Sequence, residues 1–150
     1  MKWTVVVRPK IDISTKRFVD EIKTIDRDVI VKDVYIYKLY CFSGKVSFSK
    51  VYDITNTLII DPVVENFEIY SEVEKSRKET KVNIWYKPEV LDVEALYVRQ
   101  AIKYILPEDN FEVHTGKRVI FIPRIMDKKK IIPIIEKIFM NPLIQTYEII

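Results

Sequence analysis

Two glycines, one cysteine and one histidine are all that this 150-residue sequence holds of those three types. Gly44 and Gly116 stand far apart, so no glycine-rich loop can cradle a phosphate. Walker and dinucleotide motifs need several glycines at fixed spacing and are excluded. Cys41 has no partner for an intramolecular disulfide, and Cys41 with His114 cannot complete a zinc site of the usual kind. No apolar run approaches the roughly 18 residues of a membrane helix. The start Met1-Lys2-Trp3-Thr4 lacks the apolar stretch of a signal peptide. These absences lead us to expect a cytoplasmic chain with no membrane segment. Charge of one sign is also missing: 25 basic residues meet 22 acidic ones, for a net +3. Such a balance gives little support for a nucleic-acid partner.

What is present points to a folded chain. Hydrophobic residues make up 48% and charged residues 31%, a globular composition rather than a disordered one. The strongest feature is internal similarity. Asp61-Pro62-Val63-Val64-Glu65-Asn66-Phe67-Glu68-Ile69 is matched in kind, except Asn66 against Thr146, by Asn141-Pro142-Leu143-Ile144-Gln145-Thr146-Tyr147-Glu148-Ile149, 80 positions on (61 to 141). Val7-Arg8-Pro9-Lys10-Ile11 aligns with Tyr86-Lys87-Pro88-Glu89-Val90, 79 positions on (7 to 86). Between these anchors Phe18, Ile22 and Ile25 fall opposite Val98, Ile102 and Ile105, and Val51, Ile54 and Leu58 opposite Ile131, Ile134 and Ile138. The reading is an α+β chain of two tandem β-α-β-α-β modules, 1–72 and 80–150. Antiparallel sheets would carry packed helices, with an approximate two-fold axis between the modules.

Within each module the elements follow from local chemistry. Trp3–Arg8, Ile36–Phe42, Lys81–Lys87 and Val113–Ile122 are rich in β-branched and aromatic residues and are predicted strands. Val98, Ile102 and Ile105 share one helical face, which Leu91 and Ala95 extend, with Asp92 as cap and Pro107 as stop. Pro133 belongs in the first turn of its helix, which places the start near Lys129 or Lys130 with Asp127 as cap. The junction from Ser71 to Thr80 is charged and has neither Gly nor Pro, so the last strand of one module is expected to run almost directly into the next.

Three segments of the second module resemble the PurS family, the small subunit of phosphoribosylformylglycinamidine synthase. Lys87-Pro88-Glu89-Val90-Leu91-Asp92 is similar to the family's Lys-Pro-x-Val-Leu-Asp stretch between first strand and first helix. Val113-His114-Thr115-Gly116-Lys117 resembles its Val-x-x-Gly-Lys segment, and Asn141-Pro142-Leu143-Ile144-Gln145-Thr146-Tyr147 its Asn-Pro-Val-Ile-Glu-x-Tyr ending. The first module departs further, with Tyr37-Lys38 where Gly-Lys would stand and Ile11-Asp12 in place of Val-Leu-Asp. In the second, Val93-Glu94-Ala95 replaces the usual Pro-x-Gly.

The resemblance implies a non-catalytic assembly subunit that bridges a glutaminase and a synthetase subunit and aids ammonia transfer in de novo purine biosynthesis. It implies no cofactor on this chain, although the whole ligase uses ATP, Mg and glutamine. It further implies self-association, here as a homodimer of the tandem chain. Arg8, Lys38, Lys87, Gly116 and Lys117 are the candidate partner contacts.

Each candidate has a blander reading. Gly116 also suits a bulge or a close backbone approach within a strand. His114 is alone and fits a structural or solvated role, and Cys41, among apolar neighbours, fits an inert buried thiol. Asp127-Lys128-Lys129-Lys130 suits solvated surface as well as an acidic partner. No nucleophile–base pair can be assembled that would make the chain an enzyme by itself. Two other functions stay open: a tandem regulatory domain binding a small effector, and a single-stranded nucleic-acid binder using the aromatic strands.

Overall fold

In the computed structural model the described residues are 2–12, 15–71, 78–107 and 110–150. In chain order they form β1 (Lys2–Pro9), α1 (Lys16–Ile25), β2 (Asp33–Gly44), α2 (Phe48–Ile54), β3 (Glu65–Tyr70), β4 (Thr80–Tyr86), α3 (Val93–Ile105), β5 (Phe111–Ile122), α4 (Lys128–Ile134) and β6 (Gln145–Ile149). Two π-helical turns, π1 (Thr55–Ile59) and π2 (Ile135–Phe139), continue α2 and α4.

The strands build one antiparallel sheet in the order β3-β1-β2-β5-β4-β6. Two sheets were expected; the long β2 and β5 fuse them into one. These strands pair along twelve positions each, from Asp33 opposite Ile122 to Gly44 opposite Phe111. Side chains alternate across a strand, and β2 sorts them cleanly. Val34, Tyr40 and Phe42 point into helix-covered cores, while Tyr37 and Leu39 point to the opposite, helix-free face.

The helix side holds two cores, each drawn from both halves of the chain. One packs Val19 and Ile22 of α1 with Val119 and Phe121 of β5 and Ile131 and Ile134 of α4. Phe139 of π2 joins it, touching both Phe18 and Phe121 through ring contacts at 5.1 and 5.7 Å. The other packs Val5 and Val7 of β1 and Val51 and Ile54 of α2 with Ala95 and Ile102 of α3. Helix α1 thus lies beside α4, and α3 beside π1. Apolar burial is the main favourable term in folding, and here neither half completes a core from its own residues.

Several sequence expectations are corrected. Leu91 does not extend the stripe of α3: the helix begins at Val93, and Leu91 is 69% exposed. Ile105, at the end of the helix, is also largely exposed. Pro9 and Pro88 occupy unlike settings, since Pro9 closes β1 opposite Glu65 whereas Pro88 lies beyond Tyr86, where β4 ends. In the ladders the residue that pairs with Gln145, as Pro9 pairs with Glu65, is Tyr86. The first strands therefore correspond at 77 positions (9 to 86) and not at 79. Pro133 sits in the second turn of α4, which starts at Lys128 under the Asp127 cap. Its ring faces solvent, so the Lys129 carbonyl that it leaves without an intrahelical donor is on the wet side. Nor does Pro133 cause the π turn, because π1 forms without a proline. The reading of the junction falls largely on residues 72–77, outside the described residues.

Thr55, at the entry to π1, is fully buried, and its Oγ1 has no hydrogen-bond partner among the described residues. A buried hydroxyl without a partner keeps its desolvation penalty. Thr55→Val preserves the shape and removes that penalty. We expect stability to rise by about 1 kcal/mol, read as a higher urea midpoint; a lower midpoint would show that the hydroxyl is satisfied after all.

Candidate functional site

The chain leaves β4 through Lys87-Pro88-Glu89-Val90-Leu91-Asp92, and this elbow gathers the three motif segments. Val90 N–H donates back to the Lys87 carbonyl at 3.0 Å, which turns the chain. Asp92 then caps α3, accepting from Ala95 N–H at 3.1 Å, as short polar residues at this position do. Its carboxylate also accepts from Thr115 N–H at 2.7 Å and Thr115 Oγ1–H at 2.6 Å. The β4–β5 ladder stops at Trp85 opposite Gly116. One residue further along β5, Asp92 takes the hydrogen bond in place of a strand, and Thr115 is buried. The third segment closes the elbow from the other side, with Lys87 N–H donating to the Ile144 carbonyl at 2.9 Å. A pocket of about 190 Å³ opens here, lined by Lys87, Leu91, Arg99 and His114 among others.

The other candidates are scattered. Lys38 and Lys117 pair across β2 and β5 at mid-sheet, on the helix-bearing face between the two cores. Lys117 is the more buried of the two, and burial lowers its pKa. Arg8 lies on the helix-free face in an ion pair with Glu68 at 2.8 Å. Gly116 meets the close approach that its blander reading anticipated: a Cβ there would lie 2.3 Å from the Ile84 carbonyl oxygen and 2.8 Å from the Trp85 ring. The β2–β5 register continues past it without a bulge. His114 is exposed, 3.6 Å from Glu112. Cys41 is buried, and that burial pushes its thiol pKa up, as expected of an inert thiol.

Sequence reasoning missed Arg118. It is only 3% exposed, its Nε–H donates to Asn83 Oδ1 at 2.8 Å, and Asn83 is itself buried. A charged residue inside the run Arg118-Val119-Ile120-Phe121-Ile122 was the available signal, because a lone arginine on an apolar strand needs a polar partner.

Three tyrosines anchor the surroundings. Tyr40 donates to Glu94 at 2.5 Å, fastening β2 to the first turn of α3. Tyr37 donates to Asp12 at 3.2 Å, and Tyr70 donates to Glu68. Burial, and then the carboxylate partner, raises all three pKa values, Tyr37 and Tyr70 to about 12 and Tyr40 further still. In the unfolded chain they ionise near 10. The stabilisation is therefore complete below about pH 10 and is lost as pH climbs toward 12. Absorbance at 295 nm should show these phenols ionising only as the chain unfolds in alkali. Full tyrosinate absorbance in a still-folded chain at pH 11 would contradict this.

Comparison with known families bears on the segments that meet at the elbow. The family model described as PurS: Phosphoribosylformylglycinamidine (FGAM) synthase matches residues 79–150. Over these residues, just under half of the chain, the sequence is similar to the PurS family. All three segments read as PurS-like lie within the matched span, including Asp92 and its hydrogen-bond partner Thr115. No curated protein is matched by the sequence. Among the described residues no helix is long and apolar enough to cross a membrane.

Proposed function

We propose that the chain is a cytoplasmic, non-catalytic assembly subunit of phosphoribosylformylglycinamidine synthase in purine biosynthesis. On this reading it bridges the glutaminase and synthetase subunits and aids ammonia transfer, binding no cofactor while the complex uses ATP, Mg and glutamine. The observation that carries the proposal is the PurS match over 79–150, in a sheet whose other half repeats the same order of pairing. We read residues 1–72 and 80–150 as two PurS-like units related by an approximate two-fold axis through the Lys38–Lys117 pair.

Matching details support the two-unit reading. β1 lies between β2 and β3 as β4 lies between β5 and β6. Asp61 Oδ1 accepts from Val63 N–H at 3.0 Å, and Asn141 Oδ1 from Leu143 N–H at 3.1 Å. Asp61 N–H donates to the Glu65 side chain, and Asn141 N–H to the Gln145 side chain, at 2.9 and 2.8 Å. The turns at Pro62 and Pro142 are therefore alike. Each turn also exposes a large apolar residue, Val63 at 77% and Leu143 at 82%. Lys87 beside the elbow pocket, the Lys38–Lys117 pair and Arg8 are the contacts we assign to partners or to a second copy, with Gly116 shaping the strand between them.

Reconstitution tests the proposal. The purified chain should hydrolyse neither glutamine nor ATP, yet restore glutamine-dependent amidine formation when added to the two catalytic subunits. No gain in a system limited for this chain would overturn it.

A further inference from the structure

Helix α3 is apolar on both sides. Its inward stripe, Ala95, Val98 and Ile102, packs into the core with Val51 and Ile54 of α2. Its outward stripe is Val93, Leu96, Tyr97, Gln100 and Tyr104, at the i, i+3, i+4, i+7 and i+11 positions of the opposite face. Tyr97 is 66% exposed and Tyr104 90%, and Val93 and Leu96 are exposed as well. A surface helix is ordinarily polar on this side. Helix α1 shows that the fold permits that: 80 positions earlier (96 to 16), Lys16, Arg17, Asp20 and Thr24 hold the same places, all exposed. The two tyrosines alone leave on the order of 300 Å² in water, the size of patch that is often functional. One flank of the stripe is basic. Arg99 and Lys103 lie there one turn apart, and neither side chain has an ion pair or hydrogen bond among the described residues.

We propose that α3 docks an amphipathic helix of a partner protein. The apolar stripe of that helix lies along Val93, Leu96, Tyr97 and Tyr104, and its acidic flank meets Arg99 and Lys103. Helices are recognised through apolar anchors at i, i+3, i+4 and i+7, and the charges beside such a seam select the partner. The elbow pocket, about 190 Å³ with Leu91, Leu96 and Arg99 in its wall, extends the contact at the N-terminal end of α3. A second copy is the poorer occupant. The one carboxylate of α3, Glu94, already accepts from Tyr40 at 2.5 Å, so another α3 offers no acidic flank. The inference deepens the assembly role by naming a docking face and the chemistry it takes, and for the identity of the partner it rests on that reading.

Two blocked helical peptides are the probes, each with a leucine seam, one with a glutamate flank and the other with a lysine flank. Added to the whole chain, the glutamate peptide should shift the ring resonances of Tyr97 and Tyr104 saturably. The lysine peptide should bind about tenfold more weakly, since two exposed ion pairs give way to like-charge contacts. Arg99→Glu combined with Lys103→Glu should reverse that preference, a result that misfolding cannot produce. Unmoved tyrosines, or equal binding of the two peptides, would overturn the proposal. So would ring shifts that follow chain concentration without peptide, which assign the face to a second copy. Shifts on adding vesicles of phosphatidylcholine and phosphatidylserine would overturn it too, in favour of a membrane. In reconstitution, Tyr97→Glu combined with Tyr104→Glu should raise the amount of chain needed for half-maximal amidine formation about tenfold. Full restoration by that variant would sink the docking face and spare the assembly role. A wild-type chain that restores nothing sinks the assembly role, and the peptide titration then decides the docking face by itself.

Discussion

Gly116→Ala should cost this protein about 3 kcal/mol of stability, at or above the upper end of the usual range for forcing extra volume into a packed site. The added Cβ would lie 2.3 Å from the Ile84 carbonyl oxygen, and that atom is backbone in the β4–β5 pairing. It cannot swing aside as the end of a flexible side chain could. The second clash, 2.8 Å from the Trp85 ring, would push an indole whose Nε1–H donates to Glu148 on β6. Relief must come from separating β4 and β5, which opens the core that Val82, Ile84 and Val119 share with α4. Urea denaturation measures the loss directly. A midpoint unchanged from wild type would mean that the sheet yields at no cost and that the glycine is there for another purpose. Measured beside reconstitution, the same variant separates the two readings of Gly116: a partner contact would lose assembly while keeping stability.

The strands were legible because their residues are. Strict alternation is not needed as a signal when β-branched and aromatic residues crowd Val5-Val6-Val7 and Val119-Ile120-Phe121. All four strands expected on that basis form within a few residues of their predicted bounds. The caps at Asp92 and Asp127 were legible too, since a short acceptor before an apolar-periodic run has little else to do. What periodicity could not give is which helix covers which strand. Val19 and Ile22 specify a buried face, but nothing in their spacing says that it meets Ile131 and Ile134 of the other half. The π turns were equally hidden, because an i to i+5 bond such as Met140 N–H to the Ile135 carbonyl leaves almost no compositional mark. Of the candidate site, Lys87 and Asp92 were found through motif likeness. The link from Asp92 to Thr115 joins residues 23 positions apart and needed the fold to bring them together.

That link supplies the second large effect. Asp92→Ala removes three hydrogen bonds at once: the α3 cap to Ala95 N–H, and the bonds from Thr115 N–H and Oγ1–H. A lost cap costs about 1 kcal/mol. Bonds to a charged acceptor contribute roughly 1.5–3 kcal/mol, and Thr115, only 3% exposed, would keep a backbone donor that water reaches poorly. Because the three bonds share one carboxylate they are not additive, and about 3 kcal/mol is the expected total. Asp92→Asn should lose less than half of that, since asparagine caps as well as aspartate and retains one acceptor oxygen. Equal losses for the two variants would show that the negative charge matters rather than the cap. A loss below about 1 kcal/mol for alanine would detach the elbow from β5 altogether, and with it the idea that the Leu91-Asp92 turn is held in place by the strand carrying Gly116 and Lys117.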